Sequence, residues 1–343
     1  MRHLPVLAAS LAVLACHETR SAPPAATSKP LEAVAIDLPG AAGSLTLDYL
    51  ACDRAAGRVW IPAAGTGSVD VLDVATGKLT RIEGFATVER EAHGAKRLMG
   101  PSSATVGEGF AYVGNRAGSQ ICAIDAVKLA LGACLELPAS PDGVQYVAAT
   151  KEIWVTTPRD SSLQVLDASD PAKPALKTKV ALEGEPEGYA VDEARGLFFT
   201  NFEDKDRTVA VDVRTKKVVS AWPSGCGAEG PRGIALDKAR GLVFVACTDG
   251  VNVLAASDGT KLARLDTGAG VDNIDYLEAR QLLFVAAGKA SRLTIARVAE
   301  GGKLTGVASV PIAAGARTVV ADGAGESFLV DPAHGKVLRV PAP

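Results

Sequence analysis

The chain has 343 residues and a net charge of −3 at pH 7, with 36 basic residues scattered among 39 acidic ones. No basic face interleaved with aromatic residues is present, so we expect no binding to nucleic acid. The sequence has only 4 histidines and lacks CxxC, CxxCH and GxSxG motifs. On this basis we expect no cofactor, no metal and no catalytic residue, because zinc ribbons, c-type haem and α/β-hydrolase serines need those motifs.

The first residues are typical of a bacterial export signal. An apolar run over residues 4–15 is too short to span a bilayer and predicts a secretory signal peptide over residues 1–15. The run ends in Val13-Leu14-Ala15-Cys16, which resembles the lipobox of bacterial lipoproteins. That resemblance implies that Cys16 carries the lipid, and the absence of Asp after it implies the outer membrane. The alternative is ordinary cleavage near Ala15, which would leave Cys16 as an unmodified thiol.

A segment rich in Pro, Ala and Ser follows, over residues 16–31, without hydrophobic periodicity. This composition is typical of a semi-extended tether, here between the lipid on Cys16 and the folded domain. No later apolar stretch is long enough to cross a membrane. We therefore expect a lipid-anchored protein of the bacterial cell envelope, with one folded domain over residues 32–343.

Seven copies of a sequence repeat of about 44 residues fill this domain, and this period is typical of propeller blades. Each copy has a first strand, a Gly- or Asp-rich turn, an apolar second strand with an aromatic residue, an alternating third strand and a fourth strand. The aromatic positions are Trp60, Tyr112, Trp154, Phe198, Phe244, Phe284 and Phe328. The pattern predicts an all-β fold, a seven-bladed β-propeller with four-stranded antiparallel blades.

The last copy contains only three strands, because the chain reaches Pro343 soon after a strand over residues 336–340. An alternating segment at residues 32–38 has no repeat of its own. We predict that this segment closes the ring as the outer strand of the last blade. Closure of this kind removes the open seam between the first and last blades.

Six cysteines in an exported chain indicate disulfides. Cys122, on the third strand of blade two, lies across a hairpin from Cys134 on the fourth strand, and we predict that they pair. Cys226 precedes the first strand of blade five and Cys247 ends its second strand, which predicts a second pair. Cys52 is left on the first strand of blade one, as a buried thiol that behaves like a small hydrophobic residue.

The segment from Gly225 to Cys247 resembles the YVTN-type (YncE-like) seven-bladed propellers. It contains Gly-Pro-Arg-Gly-Ile-Ala-Leu-Asp followed by Gly-Leu-Val-Phe-Val-Ala-Cys, and Gly270-Val-Asp-Asn and Gly315-Ala-Arg-Thr-Val-Val are similar to segments that recur in that family. The resemblance covers residues 32–340 and implies the propeller fold. It implies no catalytic residue, because many members of that family are exported proteins without assigned chemistry.

Aligning the copies on their first strands places one residue of each blade at the mouth of the central channel. We call these seven residues the rim: Asp48, Ser102, Asp142, Glu187, Arg232, Asp272 and Arg317. The arginines could hold an anionic group through bidentate hydrogen bonds, and the aspartates could hold a cation or hydroxyl groups. The alternative is a self-neutralising network of ion pairs that fills a wet channel, because structural networks of this kind are common.

A long connection over residues 83–100 joins blades one and two on the same face as the rim. It contains several charged residues and His93, which makes it the connection most typical of a functional loop. His93, above a ring of carboxylates, could be a base or a ligand. The alternative is a solvent-exposed surface histidine.

These observations favour a non-catalytic binding or scaffold module that engages an unidentified protein or small-molecule partner through the rim and residues 83–100. The rigid repeat scaffold, the export signal and the missing catalytic motifs support this interpretation. The alternative is a metal-assisted hydrolase of lactonase type that uses the rim carboxylates, with Asn273 as the only amide near them. We expect a monomer that is held at the membrane by its lipid.

Overall fold

The structure, a computed structural model, describes Met1 and residues 30–41, 43–92 and 95–343. Residues Leu31–Pro343 form one compact unit. Residues 2–15 of the expected signal peptide, Cys16, nearly all of the expected tether and His93 lie outside the described residues. Within the described part of the chain, no helix has the length and the apolar character that a membrane span requires.

Seven four-stranded antiparallel sheets form the blades, as the repeats predict, and the connections between blades run in chain order. The first strand of the chain, β1 (Val34–Asp37), belongs to the last blade. Blade one contains β2 (Ala51–Asp53), β3 (Arg58–Ala63), β4 (Ser68–Asp73) and β5 (Leu79–Glu83). Blade two contains β8 (Pro101–Gly107), β9 (Phe110–Asn115), β10 (Gln120–Asp125) and β11 (Ala130–Glu136). Blade three contains β12 (Val144–Val147), β13 (Glu152–Thr157), β14 (Ser162–Asp167) and β15 (Ala175–Ala181).

The remaining blades repeat this order of first to fourth strand, except that blade seven takes its fourth strand from the other end of the domain. Blade four contains β16 (Pro186–Asp192), β17 (Leu197–Phe202), β18 (Arg207–Asp212) and β19 (Lys217–Pro223), and blade five contains β20 (Pro231–Asp237), β21 (Leu242–Cys247), β22 (Gly250–Ala255) and β23 (Lys261–Asp266). Blade six contains β24 (Val271–Leu277), β25 (Leu282–Ala287), β26 (Arg292–Val298) and β27 (Leu304–Pro311). Blade seven contains β28 (Val319–Ala321), β29 (Ser327–Asp331), β30 (Lys336–Val340) and β1.

Short 3-10 turns join some of these strands and are the only helical elements among the described residues. Their bounds are Ala64–Thr66, Ala148–Thr150, Pro158–Asp160, Gly227–Glu229, Glu278–Arg280 and Glu300–Gly302. Because the strands of a blade are antiparallel, the turns alternate between the two ends of the channel. Turns between second and third strands, and the connections between blades, lie at the end that carries the rim, which we call the rim face. The other turns lie on the opposite face.

Blade seven confirms the predicted ring closure. The strand β1 pairs antiparallel with β30, in a register that joins Val34 to Arg339 and Asp37 to Lys336. Leu38, the residue after β1, is buried against the first blade, and its amide donates to the carbonyl of Gly335 at 3.2 Å. The two ends of the domain therefore meet in one sheet, and no blade lacks a fourth strand.

The hydrophobic core lies between neighbouring blades, which pack face to face. Each second strand is buried on both sides, and the aromatic residue that the repeat places there is fully buried in every blade. These residues are Trp60, Tyr112, Trp154, Phe198, Phe244, Phe284 and Phe328. The fourth strands are the most exposed, since they face solvent at the circumference. Burial thus falls from the second strand outward, as the alternating sequence of the outer strands predicts.

Both predicted disulfides are present. Cys122 and Cys134 occupy directly opposed positions on β10 and β11, and their sulfurs are bonded. Cys226 is bonded to Cys247 and ties the connection before blade five to the end of β21. Cys52 on β2 is the free cysteine of the described residues and is half-buried, and burial raises the pKa of its thiol to about 12.

The connection between blades one and two forms an additional β-hairpin rather than an irregular loop. Its strands are β6 (Val88–Ala92) and β7 (Ala95–Met99), and Glu91 is paired with Lys96 across them. The Lys96 ammonium also lies 2.8 Å from the Glu89 carboxylate. Opposite charges on facing strands stabilise such a ribbon, and they offset the like charges of Arg90 and Arg97, which the same register places opposite each other.

Candidate binding face at the channel mouth

The first strands approach one another closely beside the rim because glycine follows several rim residues. A Cβ atom at Gly233 would lie 2.8 Å from the carbonyl oxygen of Asp272 in the next blade. A Cβ at Gly188 would overlap the carbonyl of Arg232, and one at Gly143 would overlap the ring of Tyr189. Glycine is therefore required for this close approach, which brings the polar side chains of different blades within contact distance.

Arg116 is the central cation of the rim face, although it is not a rim residue. It follows β9 in the turn toward the third strand of blade two, and its Nη2 lies 2.8 Å from Oδ2 of Asp48 and also contacts Oδ1 of Asp142. Its side chain is 17% exposed. Burial acts to lower the pKa of Arg116, but Asp142 and Asp48 raise it above its usual value. The guanidinium therefore stays charged and neutralises two rim carboxylates.

Arg317 forms the second cationic contact of the rim. Its Nη1 lies 2.8 Å from Oδ2 of Asp272, and its Nη2 lies 3.7 Å from Oδ1 of Asp48. The carboxylate of Asp272 raises the pKa of Arg317. The Arg317 side chain remains 49% exposed, so one side of the guanidinium is available to solvent or to a ligand.

Glu187 is the rim carboxylate without an arginine contact. Its Oε1 accepts a hydrogen bond of 3.3 Å from the hydroxyl of Tyr49, which belongs to the first blade whereas Glu187 belongs to the fourth. Burial, followed by the nearby Asp142 and Asp272, raises the pKa of Glu187 well above its usual range. The Tyr49 ring lies 5.3 Å from the Tyr189 ring, so side chains from opposite sides of the channel meet below the rim.

Two other rim carboxylates also titrate above their usual range. Burial raises the pKa of Asp142 to about 6, although Arg116 acts in the other direction. Burial also raises the pKa of Asp272, against the attraction of Arg317. The free energy lost by removing these carboxylates from water therefore exceeds the electrostatic attraction that they gain from the guanidinium groups, as is common for buried ion pairs.

The two remaining rim residues have local partners. Arg232 contacts the carboxylate of Glu203, which lies in the turn after the second strand of blade four, and its Nη2 lies 3.3 Å from the carbonyl of Glu229. Ser102 is buried, its hydroxyl lies 3.5 Å from the carbonyl of Gly114, and its own carbonyl accepts the amide of Tyr49. Ser102 is therefore a packing residue that does not present its hydroxyl to the open face.

The rim as a whole forms a network of paired charges. Three arginines contact Asp48, Asp142, Asp272 and Glu203, and the residues that the structure describes contain no group of three or more His, Cys, Asp or Glu side chains placed to hold a metal ion. The geometry corresponds to the self-neutralising alternative, with the half-exposed Arg317 at one side of it.

A cavity of about 850 Å³ occupies the channel below the rim. Its inner end is lined by Tyr49, Tyr189 and Asn273, and its lower end by residues such as Arg54 and Asp275, which form an ion pair of 2.6 Å. Asn273 is buried, and its Nδ2 has no hydrogen-bond partner within the described chain. Asn273, the amide expected beside the rim, therefore lines this cavity.

A second concavity, of about 740 Å³, lies on the rim face beside the hairpin β6–β7. We call it the hairpin groove. Arg317 lines it together with Lys96, Arg97 and Leu98 of β7 and residues 44–47 of the connection before β2. The connection over residues 83–100 thus reaches the rim, as expected from its place in the chain.

The rim defined from the sequence does not include Arg116 or Glu203, whose side chains contact rim residues in the structure. Both lie in turns between a second and a third strand, whereas the repeats were aligned on their first strands only. The same alignment extended to those turns would have placed both charged side chains on the rim face. The charged residues of these turns are visible in the sequence, but their place at the channel mouth becomes clear only once the direction of each strand is known.

No family model and no curated protein sequence matches the chain. Among solved structures, a streptogramin B lyase superposes with a TM-score of 0.72 at 12% identity, covering 91% of this chain and 98% of that one. The WD40 repeats of RRP9 give 0.72 at 12%, covering 91% and 100%. A catalytically inactive virginiamycin B lyase from Staphylococcus aureus with quinupristin gives 0.69 at 14%, covering 91% and 100%. These likenesses show the seven-bladed propeller fold.

Proposed function

We propose that this protein is a non-catalytic binding module that engages a partner through its rim face. The observation that carries the proposal is the pairing of the rim carboxylates with Arg116 and Arg317. A guanidinium that is shared between blades holds these acids in fixed positions and neutralises them, so the rim face is a rigid surface rather than an open cluster of ligands. Such surfaces suit recognition, which requires side chains that are already in place.

The metal-assisted hydrolase has less support from the same geometry. A lactonase of propeller type would need carboxylate and amide oxygens that converge on one point. Here Asp48 lies between two guanidiniums, and Asn273 lies in the channel wall. Propellers with similar folds include proteins named as lyases and WD40 repeats, so the fold does not select between binding and catalysis, and the site must decide.

The proposal places the protein in the bacterial envelope as a monomer, anchored at the outer membrane through a lipid on Cys16, with no role for nucleic acid. The apolar run over residues 4–15 and the Pro- and Ala-rich residues 16–31 support this location. Two or more acyl chains hold a protein on a membrane far more firmly than a single one. The partner would then be another envelope component or a small molecule that reaches the envelope.

Affinity capture from native envelopes, with charges reversed at either end of the channel, tests this proposal. One variant replaces three exposed basic residues of the rim face by Glu: Arg97, Arg159 and Lys205. The matched control replaces three exposed basic residues of the opposite face by Glu: Lys173, Arg214 and Lys303. We expect a stoichiometric partner to bind the wild type and the control but not the rim-face variant.

Two results would overturn the proposal. One is a partner that the rim-face variant retains and the opposite-face variant loses. The other is a stoichiometric divalent ion in metal analysis of the purified protein, together with an activity that hydrolyses lactones and is abolished by a chelator. That second result would favour the hydrolase.

A further inference from the structure

The hairpin groove is lined by several cationic residues. Lys96, Arg97 and Arg317 line it, and no carboxylate residue is among the residues that line it. Arg317 is neutralised by Asp272 and Asp48, and the Lys96 ammonium lies 2.8 Å from the Glu89 carboxylate, whereas Arg97 forms no ion pair with the described residues. Because Arg317 is half exposed, it can donate to a second anion without releasing Asp272, and such charge-assisted hydrogen bonds are short and strong.

Apolar side chains line the same groove. Leu45 and Leu47 are buried beneath it, and Leu98 of β7 is 41% exposed. An exposed leucine is ordinary by itself, but here it lines the same groove as Arg317. It lies on the face of β7 that also carries Lys96, while Arg97 extends from the other face of the strand. A ligand that pairs with the cations and also covers Leu98 would remove apolar surface from water.

The size of the groove distinguishes between classes of ligand. A volume of about 740 Å³ is within the range of about 300–1,000 Å³ that is usual for small-molecule sites. Its boundaries come from the hairpin, residues 44–47, and loops of blades one and seven that include Gly65 and Pro332. A macromolecular partner would instead require a broad and flatter surface.

We propose that the hairpin groove binds a small organic anion with an apolar segment. The carboxylate or phosphate of the ligand is held by Arg317 and Arg97, and the apolar segment crosses the edge of β7 to lie against Leu98 on the other face of the strand. This inference rests on the proposed binding function of the rim face and names the class of ligand at one part of it. Neither a cation nor an uncharged sugar has the same complementarity to these side chains.

Titration calorimetry with sodium octanoate tests this assignment on the folded protein. Acetate is the control for the anion without the apolar segment, and 1-octanol is the control for the apolar segment without the charge. We expect saturable 1:1 binding of octanoate, and binding of acetate and octanol that is at least about tenfold weaker, because each control retains only half of the interactions.

Variants locate the site. Arg97→Glu should weaken octanoate binding by at least about tenfold, since it replaces attraction by repulsion. Leu98→Ser should weaken octanoate but leave acetate unchanged. Arg214→Glu, an exposed reversal on the opposite face, should match the wild type. Circular dichroism of all three variants verifies that they are folded.

The outcomes separate this inference from the proposed function. Absence of octanoate binding, or binding that Arg97→Glu leaves unchanged, overturns the hairpin groove as an anion site. If envelope capture still depends on the rim-face charges in that case, the binding function stands and its ligand class is different. Octanoate binding that Arg97→Glu abolishes supports the groove whatever the capture experiment shows.

Discussion

Nη2 of Arg116 lies 2.8 Å from Oδ2 of Asp48, and the same guanidinium contacts Asp142. Arg116 belongs to blade two, while the two aspartates belong to blades one and three. One side chain therefore connects three consecutive blades at the channel mouth. The contact joins side chains of three blades at one level of the channel, so it stabilises the ring and fills the mouth of the channel at once.

Replacing Arg116 by Met should destabilise the protein by about 3 kcal/mol. The change removes the charge but keeps much of the side-chain volume, so Asp48 and Asp142 are left as uncompensated buried carboxylates. The effect should be at the lower end of the range for buried pairs because the guanidinium is partly exposed. Urea unfolding at pH 7 measures this loss of stability.

Arg159→Met is the control. Arg159, in the equivalent turn of blade three, is exposed, and its replacement should change the free energy of unfolding by less than about 0.5 kcal/mol. Equal effects of the two variants would contradict the role of Arg116.

The stability of the wild type relative to an Asp142→Asn variant should fall as pH rises from 4 to 7. Burial raises the pKa of Asp142 to about 6 in the folded protein, whereas an unfolded aspartate titrates near 3.9. Between these values the folded state binds more protons than the unfolded state, so the free energy of unfolding decreases with pH through this window. The relative loss should be on the order of 2 kcal/mol. Glu187 and Asp272, whose pKa values are also raised, titrate in both proteins, so the comparison with Asp142→Asn isolates the contribution of Asp142.

Asp258 provides a control of opposite sign for this measurement. The backbone amide of Thr260 lowers the pKa of Asp258, so the wild type should gain stability relative to Asp258→Asn as pH rises through the acid range. Denaturant unfolding at several pH values gives both differences. A wild type that gains stability relative to Asp142→Asn between pH 4 and 7 would show that the Asp142 carboxylate is stabilised, not penalised, by its surroundings.

A chain that begins after Pro39 should lose about 2–6 kcal/mol of stability, from the four residue pairs of β1 with β30 at about 0.5–1.5 kcal/mol for each hydrogen bond. The loss also exposes β30 as an edge strand, which promotes aggregation. A chain that begins at Leu31 retains β1 and is the matched control. Thermal unfolding measures both. An unchanged midpoint in the shorter chain would refute the role of β1 in closing the ring.

Cys16→Ser should move the protein from the membrane fraction to the soluble fraction. The proposed lipid anchor requires the Cys16 sulfur, and a single apolar run that has been cleaved cannot hold the protein. Fractionation of cells followed by immunodetection measures this. Cys52→Ser, which alters the half-buried thiol of β2, should remain in the membrane pellet. Retention of the Cys16→Ser protein in the pellet would count against lipidation.

Some features follow from local pattern alone and others do not. The burial of Trp60 and Phe284 was predictable because the second strands are apolar on both faces and recur with a fixed period. The pairing of Cys122 with Cys134 was predictable because both lie on one hairpin. The hairpin β6–β7 was not predicted, because its residues are charged and its pairing depends on contacts across the strands rather than on hydrophobic alternation.

Local sequence patterns were enough to predict the seven blades, the closure by residues 32–38 and the two disulfides, since each depends on short-range periodicity or on the count of strands in a repeat. The role of the rim, in contrast, follows from tertiary contacts. Whether Asp48 and Asp142 are free ligands or partners of Arg116 depends on which side chains meet across the channel axis. Those side chains come from turns and blades far apart in the chain, and the cost of burying their charges is set by neighbours that no local pattern names.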